Sequence, residues 1–142
     1  MVTLRVGIET KGPLFTGQPG EVIERHLANA VRQLVELGEQ RLDLMLRPRP
    51  AGVYLSVSEA GKNQASTGNY RRNVHGVASH LHGRITDGGV IYGPWLEGVS
   101  SRNVTTRFRG YSSFRRVGQS LQEDAHDVAE RHIERAVKEL NG

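Results

Sequence analysis

Six histidines, fifteen carboxylates and no cysteine set the chemistry open to this chain of 142 residues. Without thiols, disulfide scaffolds, zinc ribbons and cysteine catalysis are excluded. His80-Leu81-His82, read as part of a strand, puts two imidazoles on one face, as a pair of metal ligands requires. His75 lies nearby, and Asp87 is the one neighbouring carboxylate before Glu97. A small metal-dependent hydrolase around His80, His82 and Asp87 is therefore the enzyme reading of this sequence. Against it, no His-Glu-x-x-His helix accompanies the pair, and strand histidines without a carboxylate partner are commonly solvated. His26, His126 and His132 fall on helical stretches among charged residues, where a surface position is the default. No serine sits in a Gly-x-Ser-x-Gly elbow. Gly12, Gly17 and Gly20 lead into a helix without the lysine of a phosphate-binding loop. The expectation is a protein with no catalytic residues, no metal and no cofactor.

Two segments have compositions suited to binding. Ile91-Tyr92-Gly93-Pro94-Trp95-Leu96-Glu97-Gly98 holds the only tryptophan. Pro94 cannot donate to a ladder, so the segment reads as an edge strand or its end. Tyr92 and Trp95 are the large amphipathic residues that anchor protein–protein contacts. Tyr92, Pro94, Trp95, Leu96 and Glu97 are thus candidates for a subunit interface. The alternative is that Trp95 plugs the core between sheet and helices. The second segment, Thr105 to Arg116, interleaves Arg107, Arg109, Arg115 and Arg116 with Phe108, Tyr111 and Phe114. Nucleic-acid binders do the same, but no helix-turn-helix, zinc finger or RNA-recognition signature is present. Contact with phosphates without sequence reading is the form DNA binding would take.

The charge is unevenly distributed. The net +4 divides into +1 over residues 1–70, +6 over 71–116 and −3 over 117–142. Arg71, Arg72, Arg84, Arg102, Arg107, Arg109, Arg115 and Arg116 stand in the middle stretch against only Asp87 and Glu97. Arginine outnumbers lysine 16 to 3, which a GC-rich coding sequence would explain; the clustering it would not. A basic surface facing DNA or an acidic partner protein is expected from Arg71, Arg72, Arg102, Arg107, Arg109, Arg115 and Arg116.

These residues must be positioned by a small set of elements. Val2, Leu4, Val6 and Ile8 alternate with polar partners as in a half-buried strand. Apolar residues from Ile23 to Leu46 recur at helical spacing, predicting a helix over 20–46 that Arg47-Pro48-Arg49-Pro50 ends, with Gly38 as a place for a bend. Residues 53–57 read as a strand. Residues 69–98 read as a meander, with Asp87-Gly88-Gly89 turning a hairpin between 84–86 and 90–92. A stripe from Phe114 to Leu140 predicts a final helix over 113–140, with Ser112 or Ser113 as its N-cap. The sum is one α+β domain over residues 1–142, with a small antiparallel sheet of about four strands packed by the two long helices. Mobile loops are expected near 10–20, 58–68 and 99–110. No apolar run approaches the roughly 20 residues of a membrane span, and Met1-Val2-Thr3-Leu4-Arg5 lacks the pattern of a secretory signal.

Three stretches in this order carry a resemblance: Thr67-Gly68-Asn69-Tyr70-Arg71-Arg72-Asn73-Val74, then Tyr92-Gly93-Pro94-Trp95-Leu96-Glu97-Gly98, then Phe108-Arg109-Gly110-Tyr111 with Phe114-Arg115-Arg116. Over residues 20–140 the chain resembles the small neck, or tail-completion (head–tail joining), proteins of long-tailed phages. It departs from their pattern at Gly98-Val99, where Gly-Thr is common, and in lacking a proline before the last helix. Tail terminators and other minor tail proteins therefore remain alternatives. The resemblance implies a structural virion protein at the head–tail junction, present in the host cytoplasm before assembly. It implies a homo-oligomeric ring, hexameric or dodecameric. The partners would be portal, adaptor or head-closure proteins on one side and tail tube or tail terminator on the other. Genomic DNA would pass through the channel without its sequence being read, and no membrane would be involved.

Overall fold

The computed structural model describes residues 1–12, 17–47 and 68–142. The strand expected at 53–57 and the loop expected at 58–68, apart from Gly68, lie outside the described residues, as does part of the loop at 10–20. In chain order the elements are β1 (Thr3–Gly7), α1 (Gly17–Met45), α2 (Asn69–Asn73), β2 (His75–Ser79), β3 (His82–Thr86), α3 (Gly93–Glu97), α4 (Arg102–Thr106) and α5 (Ser113–Leu140). The fold is α+β: a three-stranded antiparallel sheet, ordered β1-β3-β2, packed against the two long helices.

Both long helices follow their apolar stripes. Helix α1 buries Ile23, Leu27, Ala30, Val31, Leu34, Val35 and Leu42, the stripe of an amphipathic helix lying on a core. It runs antiparallel to α5: Arg25 and His26 meet Glu139, Gln33 meets His132, and Arg41 meets Ser120 and Asp124. Gly38, foreseen as a place for a bend, does not interrupt α1, which is continuous from Gly17 to Met45. A Cβ at Gly38 would strike Ile85 of the sheet and press on Leu121 of α5. Glycine is required there because three layers approach closely. Ala30, Leu34, Val35, Leu42, Tyr70, Ile85, Phe114, Val117, Leu121 and Val128 form the main core, with Ile23, Leu27, Leu81 and Ala136 as a second cluster.

The hairpin is not where the sequence pattern placed it. Strands β2 and β3 pair from His75↔Thr86 to Ser79↔His82, so the tight turn is His80-Leu81. His80 takes the positive φ, 50°, that a two-residue turn demands and that glycine or asparagine usually supplies. Asp87-Gly88-Gly89 instead ends β3, and no strand follows it. The Asp87 carboxylate is fully buried. It accepts from the Val2 amide (3.3 Å), the Gly89 amide (3.0 Å) and the Tyr70 hydroxyl (3.3 Å). Burial, and then the Asp87 charge beside it, push the Tyr70 phenol well above its ordinary value, so Tyr70 stays a donor. Asp87 thus ties together the start of β1, helix α2 and the exit of β3.

Two helices about 10 Å thick lying about 10 Å apart present roughly 20 Å of width. Three strands at about 4.8 Å spacing cover only about 14 Å. Among the described residues β1 is an edge strand, and beside it Leu4, Val6, Phe114, Gly118, Gln122 and Ala125 line an open groove of about 880 Å³.

Candidate functional site

The binding segment is a compact unit at the N-terminal end of α5. Pro94 lies in the first turn of α3, where its missing N–H is harmless and its φ is helical. The expectation that Pro94 ends an edge strand is therefore corrected: residues 93–97 are a short helix. The Gly93 amide donates to the Val90 carbonyl at 2.9 Å, and a Cβ on Gly93 would collide with the buried Asp87 carboxylate.

Glu97 is buried, at 7 % exposure. Its carboxylate accepts from the backbone amides of Phe114 and Arg115, each at 3.0 Å. The first amides of a helix lack intrahelical partners and carry the positive end of its dipole. Ser112 precedes the helix with a left-handed φ of 52° and makes no side-chain cap. Glu97 therefore does the capping expected of Ser112 or Ser113, and within the chain it is a structural clamp with little surface to offer a neighbour. Leu96 packs on the main core.

Trp95 lies outside both core clusters, so it does not plug the space between sheet and helices. Its ring stacks on Phe108 at 4.6 Å, Phe108 meets Tyr111 at 5.1 Å, and the indole N–H donates to Thr106 Oγ1 at 3.0 Å. Tyr92 is partly exposed, accepts at its hydroxyl from Asn69 at 2.6 Å, and meets the Tyr70 ring at 6.1 Å.

The segment expected as a loop near 99–110 contains α4 and is held by a residue that sequence reasoning passed over. Asn103 donates to the carbonyls of Trp95 (2.8 Å) and Phe108 (2.7 Å) and accepts from the Ser100 amide (2.9 Å). The Tyr111 amide donates to Leu96 at 2.7 Å, closing the unit onto α3. The signal in the sequence was weak, an asparagine among polar neighbours, because its partners are backbone carbonyls.

The basic residues divide. Arg71 is drawn away by Asp43, with two hydrogen bonds of 2.6 Å that hold the Asp43 carboxyl below the usual carboxylate range. Arg72 is exposed on α2. Arg102, Arg107, Arg109, Arg115 and Arg116 are exposed on the α3–α4 unit and the first turn of α5, and none forms an ion pair among the described residues. Beside them Ile91, Val99 and Val104 stand 96 %, 74 % and 84 % exposed.

The histidines are not gathered. His80 occupies the hairpin turn, 3.4 Å from Glu24, and Asp87 is committed to its three donors. Because His80 is in the turn and not on a strand, it does not share a strand face with His82. Among the described residues no group of three metal-ligating side chains converges. His132, expected at the surface, is buried at 6 % exposure with Nε2 2.7 Å from Gln33. Desolvation first, then Arg135, His26 and Arg131, lower its basicity. Among the described residues no helix is long and apolar enough to cross a membrane. What the arrangement offers is an internally hydrogen-bonded unit at the start of α5 that exposes arginines together with Ile91, Val99 and Val104. No known protein family, curated protein or solved structure matches the chain.

Proposed function

We propose that this chain is a non-enzymatic structural subunit of a tailed-phage particle, forming a ring in the head-to-tail connector that links the portal complex to the tail. One observation carries the reading. The segment from Ile91 to Arg109 is hydrogen-bonded onto the capped end of α5, yet it exposes Ile91, Val99 and Val104, and its Arg102, Arg107 and Arg109 form no ion pair among the described residues. Scattered apolar residues at a surface are ordinary, but three strongly exposed ones within one short, internally hydrogen-bonded segment are the kind an assembly interface buries. Among the described residues the edge of β1 beside the open groove pairs with no further strand, a second surface of the kind that assembly covers. The order of the three sequence stretches resembling neck proteins supplies the identity of the particle. Tail terminator or another minor tail protein is the neighbouring assignment.

The test is reconstitution. Purified chain is mixed with the portal and tail components encoded with it and imaged by negative-stain microscopy. Rings with a central channel, seated between portal and tail, are expected. A chain that remains an inert monomer in their presence overturns the proposal. The five unpaired arginines favour a second reading, a sequence-nonspecific DNA-binding module. Such a module would shift duplex DNA of any sequence at low salt and lose it steeply as salt rises. No shift at low salt removes it.

A further inference from the structure

We infer that the arginine-bearing α3–α4 unit of one copy docks on the outer, acidic face of α5 of the next copy, so that copies join head to tail through two unlike surfaces. The inference rests on reading the α3–α4 unit as an assembly surface and names what that surface meets. Glu123, Asp127, Glu130 and Glu134 follow one another at spacings of four, three and four residues. They therefore share one face of α5. At 100° per residue that face is opposite the one buried through Phe114, Leu121, Val128 and His132. All four carboxylates are exposed. Among the described residues, only Glu130 has an ion pair, with His126 at 3.9 Å.

Like charges at these spacings repel along a helix, and Arg131 and Lys138, four residues beyond Asp127 and Glu134, offset part of that repulsion while leaving the row acidic. Cations from outside would relieve that repulsion. The same chain presents guanidiniums without ion pairs among the described residues on Arg102, Arg107 and Arg109 of the α3–α4 unit and on Arg116 in the first turn of α5, about 10 Å along the helix before Glu123. Each surface also has an apolar margin: Val99 and Val104 on the basic unit, Ile133 and Val137 beside the acidic row. Opposite charges steer and register the contact, while the aliphatic margins supply the area removed from water. Two unlike surfaces can pair reciprocally about a two-fold axis or join head to tail, and the ring of the proposed function takes the second arrangement. Head-to-tail joining closes a ring when the rotation permits.

The experiment uses full-length chain, two charge-reversed variants and sedimentation velocity. One variant is Arg102→Glu/Arg109→Glu, the other Asp127→Lys/Glu130→Lys; all four side chains are exposed and outside both cores. Wild-type chain should sediment as a multiple of 15.7 kDa at low salt. It should dissociate in about 1 M salt, where the screening length falls to about 3 Å. Each variant alone should be a folded monomer. Mixed one to one, the intact unit meets the intact α5 face and the reversed unit meets the reversed face, both pairs complementary in charge, so assembly past the dimer of about 31 kDa, twice 15.7 kDa, should return. Wild-type chain that is monomeric at low salt, either variant assembling like wild type, a mixture that stays monomeric, or a mixture that stops at the dimer overturns the inference. Head–tail joining scored in parallel separates the two ideas. Joining that survives both reversals removes this contact and keeps the connector reading. Wild-type chain that neither joins nor binds the portal and tail components removes the connector reading itself.

Discussion

Replacing Glu97 should unfasten the α3–α4 unit from α5. In Glu97→Ala, the amide of Phe114, a residue 4 % exposed, loses its acceptor in a dry position. A stranded buried donor costs about 1–3 kcal/mol. The Arg115 amide, on an exposed residue, regains water and contributes little. Losing a carboxylate at the positive end of the helix dipole adds about 1 kcal/mol, and relief of carboxylate desolvation offsets part of the total. The net expectation is about 2–3 kcal/mol. At about 3 °C per kcal/mol for a domain of this size, Tm should fall by about 6–9 °C. Glu97→Gln keeps one acceptor oxygen and should lose about half as much. Urea denaturation followed by far-UV circular dichroism reads the helices. Fluorescence reads Trp95, the only tryptophan, and so reports the unit directly. Because the carboxylate is buried, salt should not erase the difference between variants. An alanine variant within about 0.5 kcal/mol of wild type, or no worse than glutamine, would refute the capping argument, since ordinary surface substitutions fall in that range.

Further outcomes follow from particular contacts. Gly98 and Gly89 both have positive φ, 100° and 79°, but only at Gly98 would a Cβ run into backbone, the Arg109 carbonyl. Gly98→Ala should therefore cost at least about 3 kcal/mol in urea titration and Gly89→Ala about 1 kcal/mol; equal losses would contradict the packing. Trp95→Ala should impair ring or particle yield more than Arg109→Ala, because it removes the Phe108 stacking and the Thr106 bond, whereas an exposed charge contributes about 0–1 kcal/mol. Faster tryptic cleavage after Arg102 and Arg107 in Trp95→Ala should accompany the loss, and the reverse ranking of yields would sink the prediction. His132 has a lowered folded-state basicity, so the unfolded chain binds its proton first as pH falls. The stability this contributes is present above the unfolded value of 6.5 and is lost as pH drops from there toward the folded value. In His132→Gln that increment of pH dependence should vanish from the denaturation midpoint; an unchanged slope would show that the ring is not the group concerned.

The long-range order of the fold was legible and the local chemistry of its connections was not. The stripe from Ile23 to Leu42 and the stripe from Phe114 to Ala136 dictated two helices, since a 3.6-residue period can bury only one face. Their boundaries came within about three residues. The alternation of Val2, Leu4, Val6 and Ile8 likewise dictated β1. Asp87-Gly88-Gly89 misled because aspartate followed by glycine is a strong hairpin signal, and nothing local reveals that its carboxylate is needed by Val2 and Tyr70. Pro94 misled because proline serves equally at a strand end and in a first helical turn. At Gly38 the composition suggested flexibility where the structure has close packing.

The candidate surface divides the same way. Its location, the aromatic segment from Tyr92 to Gly98 followed by a basic stretch, was visible in residue types alone, and so was the asymmetry of charge along the chain. The roles within it were assigned by tertiary structure. Within the chain Glu97 caps α5, Trp95 braces α4 instead of plugging the core, Arg71 pairs with Asp43, and Asn103 is a hub for backbone groups. Hydrophobic periodicity and net charge are properties of residue type and spacing, so they can be read before the chain folds. The partner of a buried carboxylate or an indole N–H lies tens of residues away, and only the packing of α3 and α4 against the end of α5 brings it within hydrogen-bond reach.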